Sequence, residues 1–163
     1  MSRLLATALY VGDLRPAPGT WGSLLALLLA VPALALGGPW LLAALIGAAL
    51  LGGAWAAGRE MAASGDRDPS HVVLDEVAGQ WIALIPVAFG AAANGVPATA
   101  LWPGWLAAFA LFRLLDVWKP GPIGRADGRG DVLGLLLDDV LAGAGAALGV
   151  VALAALFHIV ILR

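Results

Sequence analysis

Residues 112–143 read FRLLDVWKPGPIGRADGRGDVLGLLLDDVLAG, and both ends of this stretch run straight into long apolar segments. Arg113, Asp116 and Lys119 sit three residues apart, so on a helix they line one face. A Pro-rich turn follows at Lys119-Pro120-Gly121-Pro122, then a Gly- and charge-rich loop from Gly124 to Gly130. Asp138 and Asp139 come next, immediately before 23 uncharged residues. Paired acids at the mouth of a membrane helix are costly unless something binds them.

The composition agrees with a membrane setting. Hydrophobic residues make up 61% of the chain and charged residues 12%, against roughly 45–50% and about 25% in soluble domains. The fold class expected is all-α, an integral membrane helical bundle forming a single domain over residues 1–163. The absence of cysteine removes thiol nucleophiles, thiolate metal sites and disulfides. A net charge of −2 argues against nucleic acid as a partner. The N-terminal 15 residues hold a short apolar run followed by charges and Pro16 instead of a small-residue cleavage site, and so read as mature protein.

Outward from residue 112, the uncharged runs divide at turn signals. No charge occurs between Arg15 and Arg59, and Gly37-Gly38-Pro39 breaks that run into helices near 21–36 and 40–57. The first rises about 24 Å against a hydrocarbon core of about 30 Å, so it either spans with local thinning or dips in and returns. Both options leave residues 15 and 59 on one side. Asn94-Gly95-Val96-Pro97 divides the next run into helices near 77–93 and 98–116, which Pro86 and Pro103 are expected to kink. Val140 to Leu162 spans once. About five membrane segments result, with every acidic residue and eight of the nine Lys/Arg on one face and Arg163 on the other. The positive-inside rule makes the charged face cytoplasmic. Ala142/Ala146 and Gly145/Gly149 recur at four-residue spacing and predict close helix packing.

Three places on the charged face carry chemistry. In Pro16-Ala17-Pro18-Gly19-Thr20-Trp21-Gly22-Ser23, Thr20 or Ser23 is placed to cap a helix, and Gly19 and Gly22 open backbone N–H groups to a phosphate. The plainer reading is a well-capped helix. Asp75 and Glu76 open the third apolar helix, where the macrodipole favours negative charge, and Gln80 lies one turn below Glu76. Asp138-Asp139 repeats this pattern of paired acids at a helix start. Two acidic pairs and Asp116, brought together by three helices, make a hard all-oxygen site suited to Mg²⁺. Arg113 and Lys119 supply cations beside it, although a helix C-terminus favours cations in any case. Other phosphoryl-transfer schemes fit poorly. There is no Walker loop, Asp66-Arg67-Asp68 reads as a solvated charge run, and His71 and His158 fall on opposite sides of the membrane.

These residues resemble the phosphatidylglycerophosphatase A family of bacterial membrane enzymes. PAPGTWGSL at 16–24, VVLDEVAGQWIAL at 72–84, and FRLLDVWKPGPI with GLLLDDVLAG at 112–123 and 134–143 are similar to its blocks, in order. Gly121 and Asp131-Val132 depart from the family pattern. The resemblance implies Mg²⁺-dependent hydrolysis of phosphatidylglycerophosphate to phosphatidylglycerol and phosphate, at the cytoplasmic face of the bacterial inner membrane. A compatible mechanism places Mg²⁺ on Asp75, Glu76, Asp116, Asp138 and Asp139, with catalysis by Asp75, Glu76, Asp138 and Asp139. One carboxylate not committed to the metal, with Glu76 the first choice, would act as general base. Arg113, Lys119 and the Thr20–Ser23 segment would hold the phosphate of a phospholipid substrate.

Two alternatives belong to other classes. A CDP-alcohol-type lipid phosphotransferase is faintly echoed by Asp127-Gly128 and the Gly134-to-Asp138 spacing, but the Ala-Arg pair and the final Asp of that pattern are missing. A metal or ion transporter would place ionisable groups mid-membrane, where this sequence has none. For topology, reporter fusions are expected to place the N-terminus and residues 60–70 on the cytoplasmic face and a C-terminal fusion opposite. Residues 60–70 and the C-terminus reporting from one side would contradict the odd number of crossings.

Overall fold

The computed structural model describes residues 1–67 and 69–161, so Asp68 of the 66–68 charge run and the expected position of Arg163 lie outside the described residues. The elements are α1 (Ser2–Ala6), α2 (Pro18–Ser64), α3 (Leu74–Ala93), α4 (Trp102–Trp118), α5 (Pro122–Asp127) and α6 (Val132–Ile161), with 3-10 turns at Val11–Asp13 and Ala98–Leu101. No strand occurs among the described residues. Among the described residues, four helical stretches are long and apolar enough to cross a membrane: Pro18–Ser64, Leu74–Ala93, Ala98–Trp118 and Val132–Val160.

The 47-residue α2 supplies two of five apolar segments, because it folds back on itself at Gly38. Gly38 has φ 59° and ψ −156°, a conformation closed to residues with a Cβ, and Pro39 brings no N–H to continue the helix. The arm over 18–37 starts beside α3, with Gly22 against Val73, and the bend at Gly38 lies with Ala91 and Ala92 at the far end of α3. The arm over 39–64 then returns, bringing Gly53 to Leu136 and Gly58 to Val132. The first arm is longer than the sequence reading of 21–36. Its 20 residues rise about 30 Å, which matches the hydrocarbon core without thinning.

Three local expectations are corrected. Pro103 does not kink its helix, since it occupies the first turn of α4, where the missing N–H costs nothing. Residues 122–127 form a short helix instead of an open loop. The last helix begins at Val132, not Val140, so Asp138 and Asp139 lie more than a turn inside it rather than at its start. The reason is a cap: Asp131 Oδ1 accepts the Gly134 N–H at 2.7 Å, and VLGLLL continues the apolar helix from there.

Between apolar helices in lipid, packing and hydrogen bonds replace the hydrophobic drive of water. The helices accordingly meet through small residues. Ala142 and Ala146 are fully buried, and Gly145 and Gly149 face Leu115 and Leu111 of α4. The closest approach is between α3 and α6. A Cβ on Gly79 would lie 2.8 Å from Asp139 O and 2.6 Å from Phe112 Cε2, and one on Gly143 would collide with Gly79 O. Trp81 pins the first arm of α2 to α3, its indole N–H donating to Ala26 O at 2.8 Å.

Gly79→Ala is expected to destabilise the fold by about 1–3 kcal/mol through overpacking against backbone. Gly47→Ala meets nothing within 4 Å and is expected to be neutral or stabilising. Thermal unfolding of both variants in detergent checks the contrast.

Candidate active site

The starts of α2 and α3, the end of α4, α5 and the first turns of α6 enclose a polar cavity of about 620 Å³. Asp75 and Glu76 enter from the first turn of α3, where peptide dipoles favour negative charge. Adjacent residues on a helix point about 100° apart, and here Asp138 and Asp139 divide between two partners. Asp139 joins Asp75 and Glu76, and the three can offer carboxylate oxygens within 4.8 Å of one another. Asp138 turns instead to Lys119, with Oδ2 accepting from Nζ at 2.7 Å.

Cations hold the remaining acids. Arg113 Nη1 lies 2.7 Å from Asp116 Oδ2. Its N–H bonds are not aimed along that contact, which leaves Nη1 buried without a hydrogen-bond partner. Lys119 caps α4 in the left-handed conformation, φ 49°, its backbone N–H donating to Leu115 O at 2.8 Å. That turn of the backbone carries its ammonium between Asp127 and Asp138. Burial draws the Lys119 ammonium downward, but hydrogen bonds from it to Asp127 and Asp138 outweigh this and hold it above the usual lysine range.

At the start of α2 the expected caps are not used. Ala17 is the N-cap without a side-chain bond, and Pro18 opens the helix. The Ser23 hydroxyl donates to Gly19 O at 2.9 Å inside the helix. Neither Thr20 nor Ser23 lines the cavity, whereas Gly19 does. A Cβ on Gly19 would sit 2.5 Å from Glu76 Oε1 and 3.1 Å from Arg113 Nη1. Glycine therefore lets the first turn of α2, with its unsatisfied N–H groups, close over the acids while Glu76 and Arg113 keep their places.

Several buried polar atoms here have no hydrogen-bond partner: Glu76 Oε2, Asp139 Oδ1, Arg113 Nη1 and both amide atoms of Gln80. Orphaned buried polar groups are costly, and carboxylates the more so. The converging oxygens of Asp75, Glu76 and Asp139 fit a hard divalent cation. Of the five acids assigned to one ligand set by the sequence reading, Asp116 and Asp138 stand outside this trio, each beside a cation.

Two cavity residues escaped the sequence reading. Asp127 looked like loop charge until α5 placed it on Lys119. Arg67 belongs to the run read as solvated, yet it lines the cavity mouth against Gly130. Asp127 carries only the faint phosphotransferase echo and Arg67 no signal, because α5 and the segment after α2 bring them to the cavity. His71 sits 3.3 Å from Glu60, away from the acids.

A sequence profile of phosphatidylglycerophosphatase A matches residues 4–154. The chain belongs to the phosphatidylglycerophosphatase A family. It is 36% identical over 151 residues to the phosphatidylglycerophosphatase A of Haemophilus influenzae, covering 92% of this chain and 86% of that one. A Bacteroides thetaiotaomicron relative, provisionally named a phosphatidylinositol-3-phosphatase, is 37% identical over 147 residues, covering 86% and 85%. The Escherichia coli phosphatidylglycerophosphatase A is 35% identical over 80 residues, covering 48% and 41%. No solved structure matches the chain. Membership makes it a phosphatase, and the polar cavity is its candidate active site.

Gly19→Ala is expected to lower phosphatase turnover at least about tenfold, because the added carbon strikes Glu76 and Arg113. Ser23→Ala, whose hydroxyl is spent inside the helix, is expected to stay within about threefold. Steady-state kinetics on folded protein separates the two.

Proposed function

We propose that this chain hydrolyses phosphatidylglycerophosphate to phosphatidylglycerol and inorganic phosphate, with Mg²⁺ as cofactor, at the cytoplasmic face of the bacterial inner membrane. The observation that carries the reading is the set of buried carboxylate oxygens of Glu76 and Asp139 that lack a hydrogen-bond partner, beside the Arg113 guanidinium, whose Nη1 is ion-paired to Asp116 but makes no directed hydrogen bond. A site of this kind offers oxygens to a cation and, beside them, a guanidinium to a phosphate. The curated relatives from Haemophilus influenzae and Escherichia coli carry the same activity in their names.

Asp75, Glu76 and Asp139 would hold the divalent cation. When bound it supplies charge neutralisation for the phosphate and Lewis acidity toward water. Arg113 grips phosphate oxygens through directed N–H bonds, and Lys119 adds a point charge. The first-turn N–H groups of α2 at Gly19 and Thr20 face an anion in the sense favoured by the helix dipole. Glu76 Oε2, buried without a hydrogen-bond partner, would be the oxygen left free of the cation to take the proton from the attacking water. Asp138 keeps Lys119 in place. The phosphomonoester reaches the cavity at headgroup level while the acyl chains remain in lipid beside the apolar helices.

The name of the Bacteroides thetaiotaomicron relative favours a second headgroup, phosphatidylinositol 3-phosphate, with the same phosphomonoester chemistry. A phosphate-release assay on both lipids, with and without Mg²⁺, tests the reading. Faster release from phosphatidylglycerophosphate in Mg²⁺ is expected, and no release from either lipid would overturn it. Asp138→Asn and Asp139→Asn are each expected to lower kcat at least about 100-fold while the protein inserts and folds. Arg113→Ala is expected to lower kcat/KM about 10- to 100-fold, with Arg113→Lys restoring only part, because a lysine cannot make two parallel bonds to phosphate. Unchanged kcat/KM in Arg113→Ala would remove Arg113 from the site.

A further inference from the structure

Lys119 Nζ donates to Asp127 Oδ1 and, at 2.7 Å, to Asp138 Oδ2. One ammonium between two carboxylates leaves the trio with a net negative charge, which repels a phosphate dianion instead of attracting it. For Lys119 to bind phosphate, one carboxylate has to give way.

The two are not equivalent. The Asp138 side chain is 7% exposed and sits within α6, packed among the helices of the bundle. The Asp127 side chain is 39% exposed and ends the six-residue α5. That helix hangs between two left-handed glycines, Gly121 at φ 53° and Gly130 at φ 65°. Moving Asp127 exposes its carboxylate to water, while moving Asp138 would strand a buried charge.

We propose that Asp127 is a competitor for Lys119 that the phosphate displaces, so that Asp127 sets the affinity of the site for phosphate. On phosphate entry the Lys119–Asp127 ion pair is exchanged for a Lys119–phosphate pair, and the Lys119–Asp138 pair is kept. No covalent bond forms or breaks in this exchange. The ligand is a phosphate dianion, carried by a lipid headgroup or free as inorganic phosphate. This inference rests on Lys119 binding phosphate in the proposed function.

The test uses the full chain in detergent micelles, with inorganic phosphate binding read by calorimetry and KM read with phosphatidylglycerophosphate. Asp127→Asn is expected to tighten inorganic phosphate and to lower KM by about two- to fivefold, the scale of one exposed ion pair. The charge-retaining Asp127→Glu is expected to stay near wild type, and Lys119→Ala to weaken both readings. In the double variant Lys119→Ala/Asp127→Asn the tightening is expected to vanish. If Asp127→Asn does not fold, Asp127→Ser makes the same measurement. A lower KM without tighter inorganic phosphate supports the exchange and assigns it to the lipid headgroup. Unchanged or weaker phosphate binding and KM in Asp127→Asn, with Lys119→Ala still weakened, would overturn the role of Asp127 and leave the phosphate clamp intact. Unchanged phosphate binding in Lys119→Ala would instead remove the clamp, and this inference with it.

Discussion

The site depends on how closely α3 and α6 cross. Gly79 lies against the Asp139 carbonyl and the Phe112 ring, and Gly143 lies against the Gly79 carbonyl, so two backbones meet with no side chain between them. One turn above that crossing, Asp75 and Glu76 face Asp139 with ligand oxygens within 4.8 Å. A methyl group at the crossing would push the helices apart and spread the trio. In lipid, where apolar side chains gain nothing by leaving water, such small-residue contacts are what set interhelical distance. The geometry of the acids is thus a consequence of glycines that carry no chemistry themselves.

Around the trio, charge is arranged by reach. Arg113 faces Asp116, and Lys119 faces both Asp138 and Asp127, so each cation is held in position and Lys119 is open to an anion only when one of its carboxylates gives way. Lys119 achieves this from a left-handed cap just beyond α4, a conformation rare for a residue with a side chain and often found at functional sites. The buried amide of Gln80, with neither atom partnered, lies one turn below Glu76 and marks the same region as incomplete without a ligand or water.

Much of this was legible in residues 72–84 and 112–143. The apolar runs gave about five segments, and their parity put the acids on one face. The break at Gly37-Gly38-Pro39 was visible because glycine and proline are read locally. The first turn of α3 at Asp75-Glu76 is legible because a helix start favours acids, again a local preference. The start of α6 was not, because Asp131 looked like one more loop charge until its side chain accepted the Gly134 N–H. Thr20 or Ser23 suits a cap by residue type, yet Pro18 opens the helix before either is reached.

The sequence by itself determined the class of protein, the number of apolar segments, the family blocks and the kinds of side chain available. Those follow from composition and short-range order, which one strand of text records in full. Only the tertiary structure decided how the acids divide: Asp139 with Asp75 and Glu76, Asp138 with Lys119, and Asp116 with Arg113. It also recruited Asp127 through α5 and replaced the hydroxyls of Thr20 and Ser23 with the bare backbone of Gly19. The physical reason is direction. A residue type states what a side chain can bind, whereas helix phase, a left-handed cap and the spacing of two glycine-lined helices state where it points.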